Sequence, residues 1–564
     1  MHDARLSVGR PAEIEGQPAF DMTRVSFILC LGFLAFTAKA ATFTAASLSQ
    51  ADVQAAIDRS SIGDTIVLPA GNATWTSHAQ AGNGIGGLSG RTLKGAGIDI
   101  TTITDQCGAS TGFAAIDGSG DNVVLDAFTL RAAASGYSAR LISISGRDVI
   151  VRRIKLLDVV VRGLCLDFKT SGPHTTGVMH HCELRALSYT NSSAGVFQLV
   201  TAFGTDSGAP PAQNTSAGTL GQAAPFGTAE NFFIEDNVFW QDAQGDSSIE
   251  TYYGGHVVVR HNTATNFEIG VHGNDSGVRS GHIIECYDNN IAVTIGNDWI
   301  GLVTARGGSG VVYNNTITAN ANYGNAISLQ SYRSAGRLPV DVPDYARRFP
   351  YPMGQLDGSK RLDGNTPVAN GMGKHTGAKK ASVLTDATKA WAVNQHLATG
   401  TVATNDNLQT LYIWNRTDGS GGRITANTTN TVTATLRGGN RNCWTPGDVY
   451  VITCGYPGLD QCGWAGPTKF YDTYSTQTLT PWYAWSNTYN GATGSNALPF
   501  KLTYMDAAHT SVTQPASDVF VRENREYYNN TVKPGYTAYT YPHPLARVDN
   551  ALLPASKRPG QVRK

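Results

Sequence analysis

Charge is what this sequence has least of. Only 15% of its 564 residues are Asp, Glu, Lys or Arg, against about 25% in an ordinary soluble domain. That excludes a helical protein laced with ion pairs, and with 41% hydrophobic residues it also excludes a disordered chain. Neither sign is in excess. The 43 basic residues face 43 acidic ones, so nothing draws the chain to DNA, RNA or an anionic membrane, and no nucleic-acid partner is expected. Long apolar runs are missing apart from Val25 to Phe36, which is too short to span a bilayer, and no membrane anchor is expected. That run follows Arg24 and precedes Ala38-Lys39-Ala40, the charged, apolar, small-residue order of a secretory signal peptide. Residues 1–40 are read as a signal peptide with an upstream extension, and Met22 is the alternative start. The mature chain is expected to be secreted, to the extracellular space or the periplasm, and to begin near Ala41.

Cysteine is scarce and odd in number. There are eight, and removal of Cys30 with the leader leaves at least one unpaired. Cys286 falls where other copies of the repeat described below carry Ile, Val or Ala, so it is expected as a buried small hydrophobe. Cys165 with Cys182, and two of Cys443, Cys454 and Cys462, are the candidate disulfides of an exported protein. The late trio lacks the Cys-x2-Cys spacing of a zinc site.

Glycine, by contrast, is plentiful at 62 residues, set with Asn, Thr and Ser between short β-branched runs. That composition favours strands closed by tight turns. One pattern recurs, two apolar residues spaced by two and then Asn: Phe232, Ile234, Asn237; Val257, Val259, Asn262; Ile284, Cys286, Asn289; and Val312 with Asn315. The Asn residues are 25, 27 and 26 apart. Looser copies occur at Val123 to Leu130, Val149 to Leu156, Val178 to Leu184, then Trp482, Ala484, Asn487, and Val519, Val521, Asn524. A constant period with alternation inside each unit predicts a parallel β-helix, whose coils stack about 4.8 Å apart. Asn at one fixed corner is expected to adopt the left-handed backbone conformation and to stack its amide along the axis. A second strand series lies between the copies: Leu164 to Phe168, Val196 to Thr201, Ser248 to Tyr252, Ile269 to Gly273, Leu302 to Ala305 and Ile327 to Gln330.

An open solenoid needs covered ends. Ser49 to Arg59 reads as an amphipathic capping helix with Ser49 as N-cap, and the Pro- and Tyr-rich stretch Pro534 to Pro544 is expected to wrap the last coil. The regular pattern stops near residue 335. The predicted organisation is a β-helix over 41–375, a small inserted β-module over 376–453, and the end of the helix with a C-terminal wrap over 454–564. Trp391, Trp414 and Trp444 of the module offer faces on which sugars can stack, but are read first as its core.

The capped coil with its Asn ladder resembles the pectin lyase-like superfamily of secreted right-handed parallel β-helix proteins, over roughly residues 42 to 335 and 455 to 546. Gly270-Val-His-Gly-Asn-Asp-Ser-Gly277 and Tyr539-Thr-Tyr-Pro-His-Pro-Leu545 are similar to segments of secreted bacterial β-helix proteins. The Asn-Thr-Asp, Asp-Asp and Gly-His-Gly set of polygalacturonases is missing, as is a recognisable pectate lyase calcium motif. The resemblance therefore implies an all-β right-handed parallel β-helix acting on a polysaccharide, and leaves the reaction open.

Outward residues of the second strand series supply the candidate chemistry. For β-elimination of a uronic-acid polymer, Arg306 or Arg279 would neutralise the substrate carboxylate, His272 would take the adjacent proton, and Tyr252 would protonate the leaving oxygen. Asp246, Glu250 and Asp275 offer instead a Ca²⁺ site for the neutralising role. Hydrolysis would use Glu250 and Asp275 as acid and base. Lys169, Gln330 and Arg333 would line the groove and bind substrate. His180, His181 and His261, on the other series, are read as surface residues. A polysaccharide lyase acting as a monomer is the leading reading. A glycoside hydrolase, a uronate epimerase and a non-catalytic glycan-binding adhesin are the alternatives.

Overall fold

In this computed structural model the residues described lie between 40 and 547. Outside them are 1–39, 77–83, 108–113, 134–139, 159–161, 168–174, 187–197, 204–222, 243–247, 253, 272–279, 296–300, 322–326, 332–371, 395, 397–410, 416, 438, 455–479, 493–496, 499, 506–510, 515–522, 525 and 548–564. The signal-peptide reading therefore falls outside the described residues. Among those described, no helix is long and apolar enough to cross a membrane.

Each repeat of the sequence becomes one coil of a parallel β-helix, and each coil contributes to three sheets. Sheet 1 contains Gly177–His180, Phe232–Glu235, His256–Arg260, Ile283–Tyr287, Ser309–Tyr313, Trp482–Trp485 and Tyr527–Asn529, joined in parallel register. Sheet 2 follows one corner later, through Glu183–Ala186, Val238–Gln241, Thr263–Thr265, Asn290–Val293, Thr316–Ala319 and Thr488–Tyr489. Sheet 3 is ten-stranded and contains the expected second series: nine parallel strands run from Ala114–Ser119 through Ile249–Tyr252, Ile269–Val271, Val303–Ala305 and Ile327–Ser331 to Phe500–Met505, and Ser511–Gln514 adds an antiparallel edge. Alternation decides the interior: Ile249, Ile269, Val303 and Ile327 stand in one register column and are all fully buried. The helix α1 (Gln50–Arg59) covers the first coil, and the Ser49 side chain accepts from the Asp52 amide, as an N-cap does.

The Asn ladder runs along the corner between sheets 1 and 2. The Asn262 carboxamide donates to the Ile234 and Arg260 carbonyls and to Asn289 Oδ1, while its Oδ1 accepts from the amide and side chain of Asn237. The same pattern extends through Asn315 to Asn487. The left-handed residue is the one before each ladder position, and not the ladder Asn itself: His181, Asp236, His261, Asp288, Asn314 and Ser486 have φ between 53° and 57°. The preceding residue makes the corner, which leaves the Asn side chain free to face inward. One coil earlier, Cys182 occupies the ladder slot and its amide donates to Asn237 Oδ1.

Cys182 is therefore not disulfide-bonded, contrary to the expected pairing with Cys165. Cys107, Cys286 and Cys443 are also free thiols, which removes Cys443 from the late pair. Cys286 is fully buried, as its place in the repeat predicted. The terminal copy is also corrected: the last strand of sheet 1 is Tyr527–Asn529. Asn524 precedes it, and Val519 and Val521 lie outside the described residues.

The insertion occurs in the turn from sheet 3 to sheet 1, between Ser331 and Trp482. It carries a separate six-stranded antiparallel sheet running from Met372–Lys374 to Val449–Cys454. Trp391 and Trp444 are 1% and 0% exposed and form its core, so neither is a sugar platform. The β-helix then continues in register, with Val312 on Ala484 and Leu329 on Leu502.

The C-terminal segment does not wrap the last coil. Residues 533–547 form a strap that turns back along the outer face of sheet 1, from Tyr483 to Glu235. Tyrosine suits this place because rings at one register position stack at the strand spacing. Tyr287, Tyr313 and Trp485 do so with centroids 4.7 and 4.4 Å apart.

Candidate functional site

The outer face of sheet 3 is built from two register columns. In the first, Thr201, Glu250, Gly270, Thr304, Ser328 and Lys501 follow one another on successive strands. In the second, Phe203 is paired with Tyr252, and Gln330 with Thr503. Arg306 follows Ala305, which pairs with Leu329, and so immediately precedes Gln330 along the axis. At about 4.8 Å per strand, Glu250 and Thr304 stand roughly 10 Å apart with side-chain-free Gly270 between them.

Only some of the expected residues meet here. Glu250 and Tyr252 lie on the strand Ile249–Tyr252, and Arg306 directly follows the strand Val303–Ala305, two strands further along sheet 3. Glu250 is 2% exposed and Tyr252 8%, so these two lie beneath the surface, while Thr304, Arg306 and Lys501 reach solvent. Gln330 lies on the strand Ile327–Ser331. Lys169, Asp246, His272, Asp275, Arg279 and Arg333 lie outside the described residues, as does the calcium site built on Asp246 and Asp275. Among the described residues, no three His, Cys, Asp or Glu side chains gather as a metal site would require.

Three residues of this face escaped the sequence reading: Thr304, Ser328 and Lys501. Thr304 and Ser328 give no signal by type. Lys501 lies beyond the insertion, where the period is broken, and only strand pairing brings it beside Ser328. Its outward direction follows from alternation, since Phe500 on one side packs against Tyr527 with ring centroids 4.9 Å apart.

The densest ionisable cluster among the described residues lies elsewhere, beneath the strap. Arg260 is fully buried and donates to Glu235 Oε2 at 2.8 Å, to the Tyr287 hydroxyl at 2.8 Å, and to the carbonyls of Tyr539 and Thr540 at 2.6 and 2.9 Å. Its guanidinium lies 4.7 Å from the Phe233 ring centre and 5.3 Å from that of Tyr541. Glu285 accepts from the Tyr536 hydroxyl at 2.6 Å and the Gly227 amide at 2.7 Å. Burial raises the pKa of both carboxyls, against the pull of Arg260 on Glu235 and of the Tyr536 hydrogen bond on Glu285. His180, His181 and His261 belong to this side; His180 is buried rather than a surface residue, and His181 and His261 are partly exposed. Burial holds His180 down to about 3, and His261 lies under Tyr541 at 3.6 Å between ring centroids. Every polar atom of the Arg260 core points at protein, so the cluster binds the strap and offers no open position to a substrate.

No family model and no curated protein matches this chain. Solved structures with some likeness include an alginate lyase from Paenibacillus sp. str. FPU-7, at 13% identity and TM-score 0.30, over 50% of this chain and 98% of that one. Another is the catalytic unit of a GH87 α-1,3-glucanase from Streptomyces thermodiastaticus strain HF3-3, at 16% identity and TM-score 0.31, over 52% and 58%. A third is a mannuronan C-5 epimerase A-module from Azotobacter vinelandii, at 15% identity and TM-score 0.24, over 50% and 75%. The parallel β-helix assignment rests on the strand register and needs none of these.

Proposed function

We propose that this chain is a secreted polysaccharide-degrading enzyme, and that it cleaves a uronic-acid-containing glycan by β-elimination on the outer face of sheet 3. The observation that supports this is the continuous register of that face. It brings Thr304, Ser328 and Lys501 onto successive strands, with Arg306 one residue past the strand Val303–Ala305, so that Arg306 and Lys501 reach solvent on the same face. A strand scaffold fixes such groups more tightly than loops would. In this reading Arg306 offsets the carboxylate charge that grows as the proton beside it leaves. His272 takes that proton, and the Tyr252 hydroxyl supplies one to the departing glycosidic oxygen. Lys169, Arg279, Gln330 and Arg333 hold the chain. A Ca²⁺ held by Asp246, Glu250 and Asp275 is the alternative source of neutralising charge. Hydrolysis would need two carboxyl groups at the sugar, for which Glu250 and Asp275 are the candidates.

The test incubates the chain from Ala41 with acidic and neutral polysaccharides, with calcium or chelator, and follows both ultraviolet absorbance of unsaturated uronate and reducing ends. Elimination gives both signals, and Arg306→Ala or His272→Ala removes both. Reducing ends without absorbance would replace the lyase by a hydrolase. Silence on both channels across the panel would favour a glycan-binding protein without catalysis.

A further inference from the structure

The insertion divides the β-helix in sequence but not in space, and this leaves a junction. Ser309–Tyr313 is the last strand of sheet 1 before the insertion and Trp482–Trp485 the first after it; their in-register pairing is Val311 to Tyr313 on Tyr483 to Trp485. Sheet 2 crosses the junction at Thr316 and Ile317, on Thr488 and Tyr489. Sheet 3 crosses it from Ile327–Ser331 to Phe500–Met505, the strand that carries Lys501 and Thr503. In two nearby coils the connection is short, from Tyr252 to His256 and from Ala305 to Ser309.

The strap spans this junction on the outside. It leaves the last coil after Tyr527–Asn529 and touches both sides of the insertion, with Lys533 Nζ 5.0 Å from the Tyr483 ring centre and 4.8 Å from that of Phe226, and the Tyr536 ring 6.2 Å from Trp485 and 5.9 Å from Tyr313. It then locks onto pre-insertion strands in descending order. Tyr536 reaches Glu285, Tyr539 and Thr540 reach Arg260, the Tyr541 hydroxyl reaches Asp236 at 2.8 Å, and the His543 amide reaches Glu235 at 2.8 Å. The strongest anchors are thus the buried charges farthest from the strap's own attachment. We infer that the strap is a latch that holds the coils rebuilt after the insertion onto those before it, and so keeps the Lys501 end of the sheet 3 face in register. Buried anchors suit a latch, because releasing any one of them exposes a charged group whose partners remain in the pocket. A strap that merely covered apolar surface would stabilise all the coils beneath it alike.

Hydrogen exchange read by mass spectrometry separates these two outcomes. The full chain, folded with a specific protease site placed at Asn530 to Val532, is compared before and after the cut and removal of the strap. A full-length Arg260→Met chain serves as a second route that leaves the backbone intact, and is read over 482–489 and 500–505 only. Release is expected to raise exchange by roughly tenfold or more over 482–489 and 500–505, with 232–235, 256–260 and the inserted sheet at 411–454 nearly unchanged. A synthetic peptide of residues 533–547 added to the cut chain is expected to restore protection. The inference is overturned if 482–505 keeps its protection without the strap, or if all coils lose protection together.

Discussion

The Asn ladder allows the sharpest quantitative test, because its members are chemically identical and differ only in position. Asn262→Ala removes donors to the Ile234 and Arg260 carbonyls and to Asn289, and the acceptor for the Asn237 amide. Each net hydrogen bond contributes about 1 kcal/mol, and a buried amide left without a partner costs about 1–3 kcal/mol. The expected loss is about 3–5 kcal/mol, read as the shift in urea midpoint at constant slope. Asn487→Ala, which removes the acceptor for the Asn315 amide and side chain and a donor to the Val312 carbonyl, is expected to cost somewhat less, because position 262 is bonded to a ladder Asn on each side. The sign reverses at Cys182. Its Sγ lies 3.6 Å from the Val151 carbonyl and 3.4 Å from that of His180, the same relative positions that Asn237 Nδ2 takes at 3.0 and 2.9 Å from Met179 and Glu235. Cys182→Asn is therefore expected to lengthen the ladder by one rung and to add about 1–2 kcal/mol. Equal costs at positions 262 and 487, or a destabilising Cys182→Asn, would refute an additive chain of amides.

Other expectations follow from burial and charge. Arg260→Met leaves Glu235 buried without its cation and is expected to cost about 3–5 kcal/mol; adding Glu235→Leu should recover much of this, and thermal unfolding of the two single variants and the double decides. Burial and then Arg260 hold His543 down to about 4, so the unfolded chain binds the extra proton below its usual value. Stability is lost as pH falls from about 6.5 to about 4, by about 3 kcal/mol for this residue. Glu235 and Glu285, with raised pKa, act in the opposite sense, so the comparison is the difference in pH slope between wild type and His543→Asn. Burial pushes Cys182 up to about 12 and raises Cys286 as well, so iodoacetamide on the native chain should label Cys107 and Cys443, and spare Cys182 and Cys286 until denaturant is added. Trp391→Ala or Trp444→Ala is expected to cost the inserted sheet about 3–5 kcal/mol, seen as its proteolysis, with no selective change in glycan affinity.

The candidate residues that lie within the period could be placed on strands from the sequence. Tyr252 and Gln330 were picked out from the second strand series and lie on strands of sheet 3, and Arg306 directly follows one. Glu250 was given a solvent-facing role that its 2% exposure does not support, because alternation gives the direction of a side chain and not what covers it. Lys501 was missed because a column is a property of hydrogen-bonded neighbours, and its neighbour Ser328 is far away in sequence.

The sequence alone determined the architecture. A period near 26 with alternation inside each unit admits few solutions besides a coil, because apolar residues recurring at that spacing can be buried together only if successive turns stack. It also determined the capping helix, through Ser49 and the apolar stripe behind it, and the insertion, through loss of the period. Only the tertiary structure decided which residue makes the corner, since φ depends on the whole coil and Asp, His, Asn and Ser all serve there. It alone decided that Cys182 is a ladder member, and that the Tyr-rich tail lies along the side of the helix. Those outcomes depend on contacts between residues tens or hundreds of positions apart, such as Arg260 with Tyr539, and local sequence carries no record of such partners.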